Sequence, residues 1–305
     1  MPFTVKLHPD VIATNITRER LDSYKSVFDV ASDLELIGSY LWNLHVCSSL
    51  YPLMNFAEIT VRNSIDQAVT AATGRFWWSA STLRYKSHSA SRRPDVVSQL
   101  INNFSKAHSS VRRDKIERYS DPTPPTHDEI VAKTDFSTWE YTFDREFMGR
   151  GLMWPALLGE VLKGTWPTTK AGTTLDIVQK NIKVVRQFRN RLSHHEPIWK
   201  KFHVLDEKDV VAHLNEKIDS IENLIGIFSP DALNLLKRNN FLAYSRMACS
   251  LQEISRFKYR TETHNVKTFS KMKHITSLNL AQGGLLNIKI YSDRKRKFLM
   301  VPVNF

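Results

Sequence analysis

Apolar residues in this chain recur every three or four positions over most of its length, a period that commits it to packed helices. The pattern is plainest at 173–195, where Leu175, Val178, Ile182, Val185 and Leu192 mark one face and Pro197 ends the run. Residues 17–30 and 33–50 read as two helices. Pro52 opens a third, which carries Leu53, Phe56, Ile59, Ile65 and Val69 to a stop at Gly74. Asp95 is expected to cap a helix reaching about His108, with the basic stretch 112–118 continuing it. Further helices are expected at 138–147, 152–163, 208–228 and 231–259. Glycine is scarce, ten in 305, which fits neither a loop-rich β protein nor a glycine-lined nucleotide site. Asp121–Pro122–Thr123–Pro124–Pro125–Thr126 cannot be helical and is the clearest linker. Near the end, 285–291 and 297–303 alternate apolar with polar around Ser292 and Asp293, as a β-hairpin does. The expected fold is an all-α bundle with additional N-terminal helices and a small C-terminal β-hairpin. Its regions are 1–120, 121–260 and a basic tail at 261–305.

A 42% apolar and 24% charged composition excludes wholesale disorder. Two cysteines, Cys47 and Cys249, exclude a disulfide scaffold or zinc ribbon and point to a reduced, cytoplasmic setting. The first twenty residues lack an export signal. Residues 36–57 carry no Asp, Glu, Lys or Arg over a bilayer-spanning length. They include Ser39, Asn43, His45, Ser48, Ser49, Pro52 and Asn55, so they read as a buried helix and no membrane partner is expected. The net charge of +12 points to a polyanion, nucleic acid first. From Glu253 onward there are eleven Lys/Arg against three acids, while the rest is near balance. The run Arg294, Lys295, Arg296, Lys297 is either a solvated turn or an RNA-backbone contact. Phe76, Trp77 and Trp78 are most simply a core plug; a base-stacking platform is the other reading.

The chemistry-bearing string is Arg189-Asn190-Arg191-Leu192-Ser193-His194-His195-Glu196-Pro197. Where the apolar seam calls for an aliphatic side chain, position 189 supplies arginine, about 20° from Ile182 around the helix. An arginine on a packed face must be paired, with Glu58 or another acid across the bundle, or must line a polar cleft. His194 lies about 140° further around an ideal helix. Arginine and histidine therefore meet on one group only across a dimer or pseudo-dimer interface, or where the helix ends; Pro197 disfavours helix at Glu196. Together they suit RNA cleavage without a metal. Histidine moves protons near neutrality, and arginine holds phosphate oxygens as charge accumulates. The His194-His195-Glu196 run is too compact for a zinc-protease helix, no CxxC is present, and no phosphate-binding glycine loop occurs, so neither metal nor cofactor is expected.

The string 188–199, FRNRLSHHEPIW, resembles the signature of the Abi-like (abortive infection, AbiD/AbiF-type) bacterial proteins of the HEPN ribonuclease superfamily. Residues 57–78, with Glu58, Arg62 and Asn63 followed by Gly74, Trp77 and Trp78, are similar to that family's other recurring block. The resemblance implies a HEPN-like helical core and a metal-independent endoribonuclease of a defence or toxin–antitoxin system, leaving a 2′,3′-cyclic phosphate and a 5′-hydroxyl. It makes Arg189 the phosphate-binding arginine, Asn190 the polar residue after it and His194 the catalytic histidine. His195 is given a supporting part and Glu196 an orienting one, with Arg191 as an RNA contact. The earlier block places Gln67 where the histidine of the motif stands, and glutamine moves no proton at neutral pH. Two arrangements remain open: Arg62 and Asn63 complete a composite site, or two copies of Arg189 and His194 meet in a homodimer, which is favoured. The spacing also allows Arg62 an ion-pair ladder with Glu58 and Asp66. For some relatives the resemblance implies a small non-coding RNA as the restraint. The alternative reading is a non-catalytic RNA-binding module.

Overall fold

Leu36, Ile37, Trp42, Val46 and Leu50 before Pro52, and Leu53, Ala57, Val61, Ile65 and Val69 after it, are all buried along one helix. That helix runs unbroken from Asp33 to Thr73, so the break expected at Pro52 is absent. Pro52 lies on the exposed side, where losing one backbone hydrogen bond costs about 3 kcal/mol. Burial on the opposite side outweighs that loss. In the computed structural model, residues 15–90, 92–261, 263–282, 286–290 and 296–300 are described. The helices are α1 (Arg18–Lys25), α2 (Asp33–Thr73), α3 (Asp95–Tyr119), α4 (His127–Lys133), α5 (Phe136–Tyr141), α6 (Leu158–Val161) and α7 (Ala171–Ser193). There follow α8 (Glu207–Phe228), α9 (Pro230–Arg238), α10 (Phe241–Ala248) and α11 (Leu251–Phe257), then β1 (Thr263–Val266), α12 (Phe269–Gln282), β2 (Leu286–Ile290) and β3 (Arg296–Met300). No helix among the described residues is long and apolar enough to cross a membrane.

The chain forms two compact units. Of the described residues, one takes those up to Pro52, Arg191–Ile218 and those from Leu236 on; the other takes those within Leu53–Asn190 and Asp219–Leu235. The boundary expected at 120/121 falls inside the second unit. There the proline-rich stretch joins α3 to α4, and Thr126 begins α4 with a reciprocal capping box to Glu129.

In the first unit the core is aromatic. Trp199 stands edge-on to Tyr24 (5.1 Å) and Phe28 (5.2 Å), and the Trp42 indole donates to the Ala248 carbonyl at 2.9 Å. A side chain at Gly38 would lie 2.2 Å from the Phe257 carbonyl oxygen, so glycine is what lets α2 and α11 touch at backbone level. The single helix expected over 231–259 is three. Asn240 adopts the left-handed conformation (φ 59°) and breaks the first from the second, and Ser250 caps the third by accepting from the Glu253 N–H. The expected hairpin pairs as β2 and β3, with Ile288 opposite Phe298. It is extended by β1, parallel to β2. Only Val266 of β1 is apolar; it is buried with Ile288 under Met272 and Ile275, so period-2 patterning could not reveal the strand.

In the second unit Trp77 and Trp78 are buried, Trp78 stacked flat on Phe104 at 4.0 Å, while Phe76 is exposed at the corner that Gly74 opens. The two tryptophans are a core plug. Pro94, not Asp95, occupies the N-cap of α3; Asp95 begins the helix and pairs with Arg92 at 3.2 Å. The helices expected over 138–163 shrink to α5, a 3-10 turn at Arg145–Phe147 and α6, because Gly149, Gly151 and Pro155 interrupt the run.

Candidate functional site

Along α7 the seam is realised: Leu175, Val178, Ile182 and Val185 are fully buried, with Phe188 beside them. Arg189 follows, in the second unit, with its side chain 35% exposed. Its Nε lies 3.4 Å from Glu58 Oε2 on α2, the partner expected from the seam break. That separation exceeds the ~2.7–2.9 Å of a tight charge-assisted contact. Burial raises the Glu58 carboxyl above its ordinary value, opposed by the charges of Arg189 and Arg62 and reinforced by Asp135. The pair is therefore loose and its carboxylate poorly solvated. Beyond Glu58, Arg189 donates only from Nη1 to Asn190 Oδ1, at 3.5 Å, among the described residues. The guanidinium keeps donors to spare.

Arg62 repeats this local arrangement. Its Nε donates to Asn63 Oδ1 at 3.3 Å and its Nη1 to the Ala132 carbonyl at 3.3 Å. The ladder expected with Glu58 and Asp66 is not made. Asp66 accepts from the Trp77 indole at 2.8 Å and from His127 Nε2 at 3.0 Å, and Glu58 faces Arg189. Two Arg-Asn pairs, Arg62-Asn63 and Arg189-Asn190, thus share the electrostatic influence of one carboxylate. The His127–Asp66 pair went unread in the sequence because its partners are 61 residues apart. It is a closed structural pair: His127 Nδ1 accepts the Phe76 N–H at 3.0 Å, leaving Nε2–H for Asp66 and no ring nitrogen free.

In the first unit α7 ends at Ser193. The His195 N–H bonds to the Leu192 carbonyl and the Glu196 N–H to the Arg191 carbonyl, with His195 at φ 56°. This is a Schellman closure with histidine where glycine is usual. The distorted last turn expected from Pro197 is present. Arg191, expected to meet RNA, clamps the next loop: Nη1 donates to the Lys200 carbonyl at 2.8 Å, Nη2 to the Pro197 carbonyl at 3.0 Å, and Nε pairs with Glu196 at 3.3 Å. Backbone carbonyls leave no sequence signal, so this role was not legible. Glu196 accordingly faces Arg191 and not an imidazole. Arg20 donates to the His195 carbonyl. His194 and His195 are exposed, and neither imidazole has a hydrogen-bond or ion-pair partner among the described residues.

Arg294 and Lys295 lie outside the described residues, and of Arg296 and Lys297 only the backbone, in β3, is described. Among the described residues no group of three or more His, Cys, Asp or Glu is placed to hold a metal ion. Compared with known proteins, the chain matches no family model, no curated protein and no solved structure.

Proposed function

We propose that this protein is an endoribonuclease of a defence or toxin–antitoxin system, with a HEPN-like core, in which Arg189 binds the scissile phosphate and His194 moves the proton. The observation that carries the reading is the state of the two side chains at the end of α7. Arg189 sits on an apolar seam yet keeps unspent donors beside a loosely held carboxylate, and His194 stands exposed just past the helix end with no partner among the described residues. A phosphate entering beside Arg189 would displace Glu58, whose charged form burial already disfavours. The 2′-oxygen attacks phosphorus and the bond to the 5′-oxygen breaks; one imidazole takes the 2′-hydroxyl proton and another protonates the leaving oxygen. Arg189 stabilises the charge that gathers on the non-bridging oxygens. Because two protons move, the reading places activity in a homodimer with two copies of His194. Asn190 orients Arg189, and Arg62 with Asn63 adds a second cation near Glu58. The resemblance to some Abi-like relatives supplies the restraint in this reading, a bound small non-coding RNA.

The test is cleavage of single-stranded RNA by purified protein in EDTA. Wild type is expected to leave cyclic phosphate ends, and His194→Ala to lose the activity by at least about a hundredfold. Undiminished cleavage by the variant would overturn the assignment. A non-catalytic RNA-binding module is the second reading, favoured by Gln67 standing in the place of a second histidine. It predicts salt-sensitive RNA affinity that survives His194→Ala, with no cleavage by either protein.

A further inference from the structure

We infer that the loop at 197–205 binds single-stranded RNA, stacking a base on Phe202 while Lys200 and Lys201 hold the flanking phosphates; this rests on the ribonuclease reading and names how its substrate is gripped. The loop is rigidly based. Ile198 and Trp199 are fully buried at one end and Val204 at the other. Arg191 holds the carbonyls of Pro197 and Lys200, and turns close from the Lys200 N–H to Pro197 and from the Val204 N–H to Lys201. From this base Phe202 is thrust outward, 92% exposed, while Ile198, Trp199 and Val204 of the same loop are buried and Leu205, at its far end, is also exposed. Among the described residues its one ring–ring contact is with His203, edge-on at 5.1 Å, and that ring meets His213 edge-on at 5.6 Å. One face of Phe202 is open. A large ring held in water on a fixed loop forgoes the burial that drives folding.

Charge identifies the occupant. Lys200 and Lys201 are exposed without ion-pair partners among the described residues, and no acid lies between 197 and 205. The acids at its borders are occupied: Glu196 with Arg191, and Asp206 accepting the Lys208 and Asp209 N–H groups at the start of α8. Cations flanking a free aromatic face suit a chain of phosphates with unstacked bases, which single-stranded RNA offers and a duplex withholds. The loop begins three residues past His194, so a strand gripped here passes the proposed proton carrier.

The experiment measures binding of a labelled single-stranded oligoadenylate, 2′-O-methylated throughout so that it cannot be cut. Phe202→Ala should weaken binding by roughly 5- to 150-fold, the range of one lost base–aromatic stack, with Phe202→Trp restoring it. The double variant Lys200→Glu/Lys201→Glu should weaken binding and flatten its salt dependence. An abasic oligomer should bind wild type and Phe202→Ala alike. Equal affinity of wild type and Phe202→Ala for oligoadenylate, or no binding by wild type, overturns the inference. So does a loss confined to phosphatidylglycerol vesicles, which would mark a membrane contact. Binding that depends on Phe202 without any RNA cleavage would sink the nuclease reading and leave this inference standing; cleavage indifferent to Phe202 would do the reverse.

Discussion

At the scale of single residues, position 189 is where sequence logic and structure meet. An arginine on the apolar stripe of α7 had to be paired or useful, and it is loosely paired with the carboxylate named from the sequence, Glu58. The linkage is testable. Burial raises the Glu58 carboxyl above the ordinary 4.5, so the folded protein holds that proton more tightly than the unfolded chain. Between the ordinary and the raised value, stability should fall as pH rises, and should level off above it. Glu58→Gln has no such titration. The stability of wild type minus that of the variant, from urea unfolding at a series of pH values, should therefore decline with rising pH from about 4.5. A difference that grows with pH would contradict the burial account. The clamp made by Arg191 left no mark in the sequence because its acceptors are carbonyls of the following loop. Arg191→Ala should cost about 1.5–3 kcal/mol, with Arg191→Lys rescuing little, since an ammonium cannot supply the fork. Urea midpoints would report both.

At the scale of elements, the strongly periodic helices were legible and their interruptions were not. The extent of α7 and of α8 followed from pattern alone. The continuity of α2 did not, because proline is a local signal and the stripe of buried residues on both sides of it is a longer one. Pro52→Ala restores a backbone donor on an exposed position and should raise stability by up to about 3 kcal/mol, read as an increase in thermal midpoint. A lowered midpoint would mean that the proline shapes α2 in a way the packing requires. The reverse error, one helix expected where α9, α10 and α11 stand, arose because Asn240 and Ser250 can sit inside a helix or end one. Ser250→Ala removes the hydrogen bond to the Glu253 N–H and should cost about 1 kcal/mol in chemical denaturation; no change would show that this cap is dispensable.

At the scale of the whole molecule, the all-helical class and the small β element near the C-terminus were readable, whereas the division into units was not. A linear reading finds boundaries where composition turns loop-like, as at Asp121–Thr126. Here α2, α7, α8 and α9 each contribute to both units, so the divisions fall inside well-formed helices that carry no such mark. The net charge of +12 is a property of the sequence alone, and it is the reason a polyanion is the partner expected from it. In the proposed function Arg189 and His194 cut RNA through its own 2′-hydroxyl. Sequencing the RNA ends formed after brief expression of wild type and of His194→Ala reports activity, target and chemistry at once. New 2′,3′-cyclic phosphate and 5′-hydroxyl ends are expected with wild type and none above background with the variant; the same ends from both proteins, or 5′-phosphate ends from wild type, would contradict this mechanism.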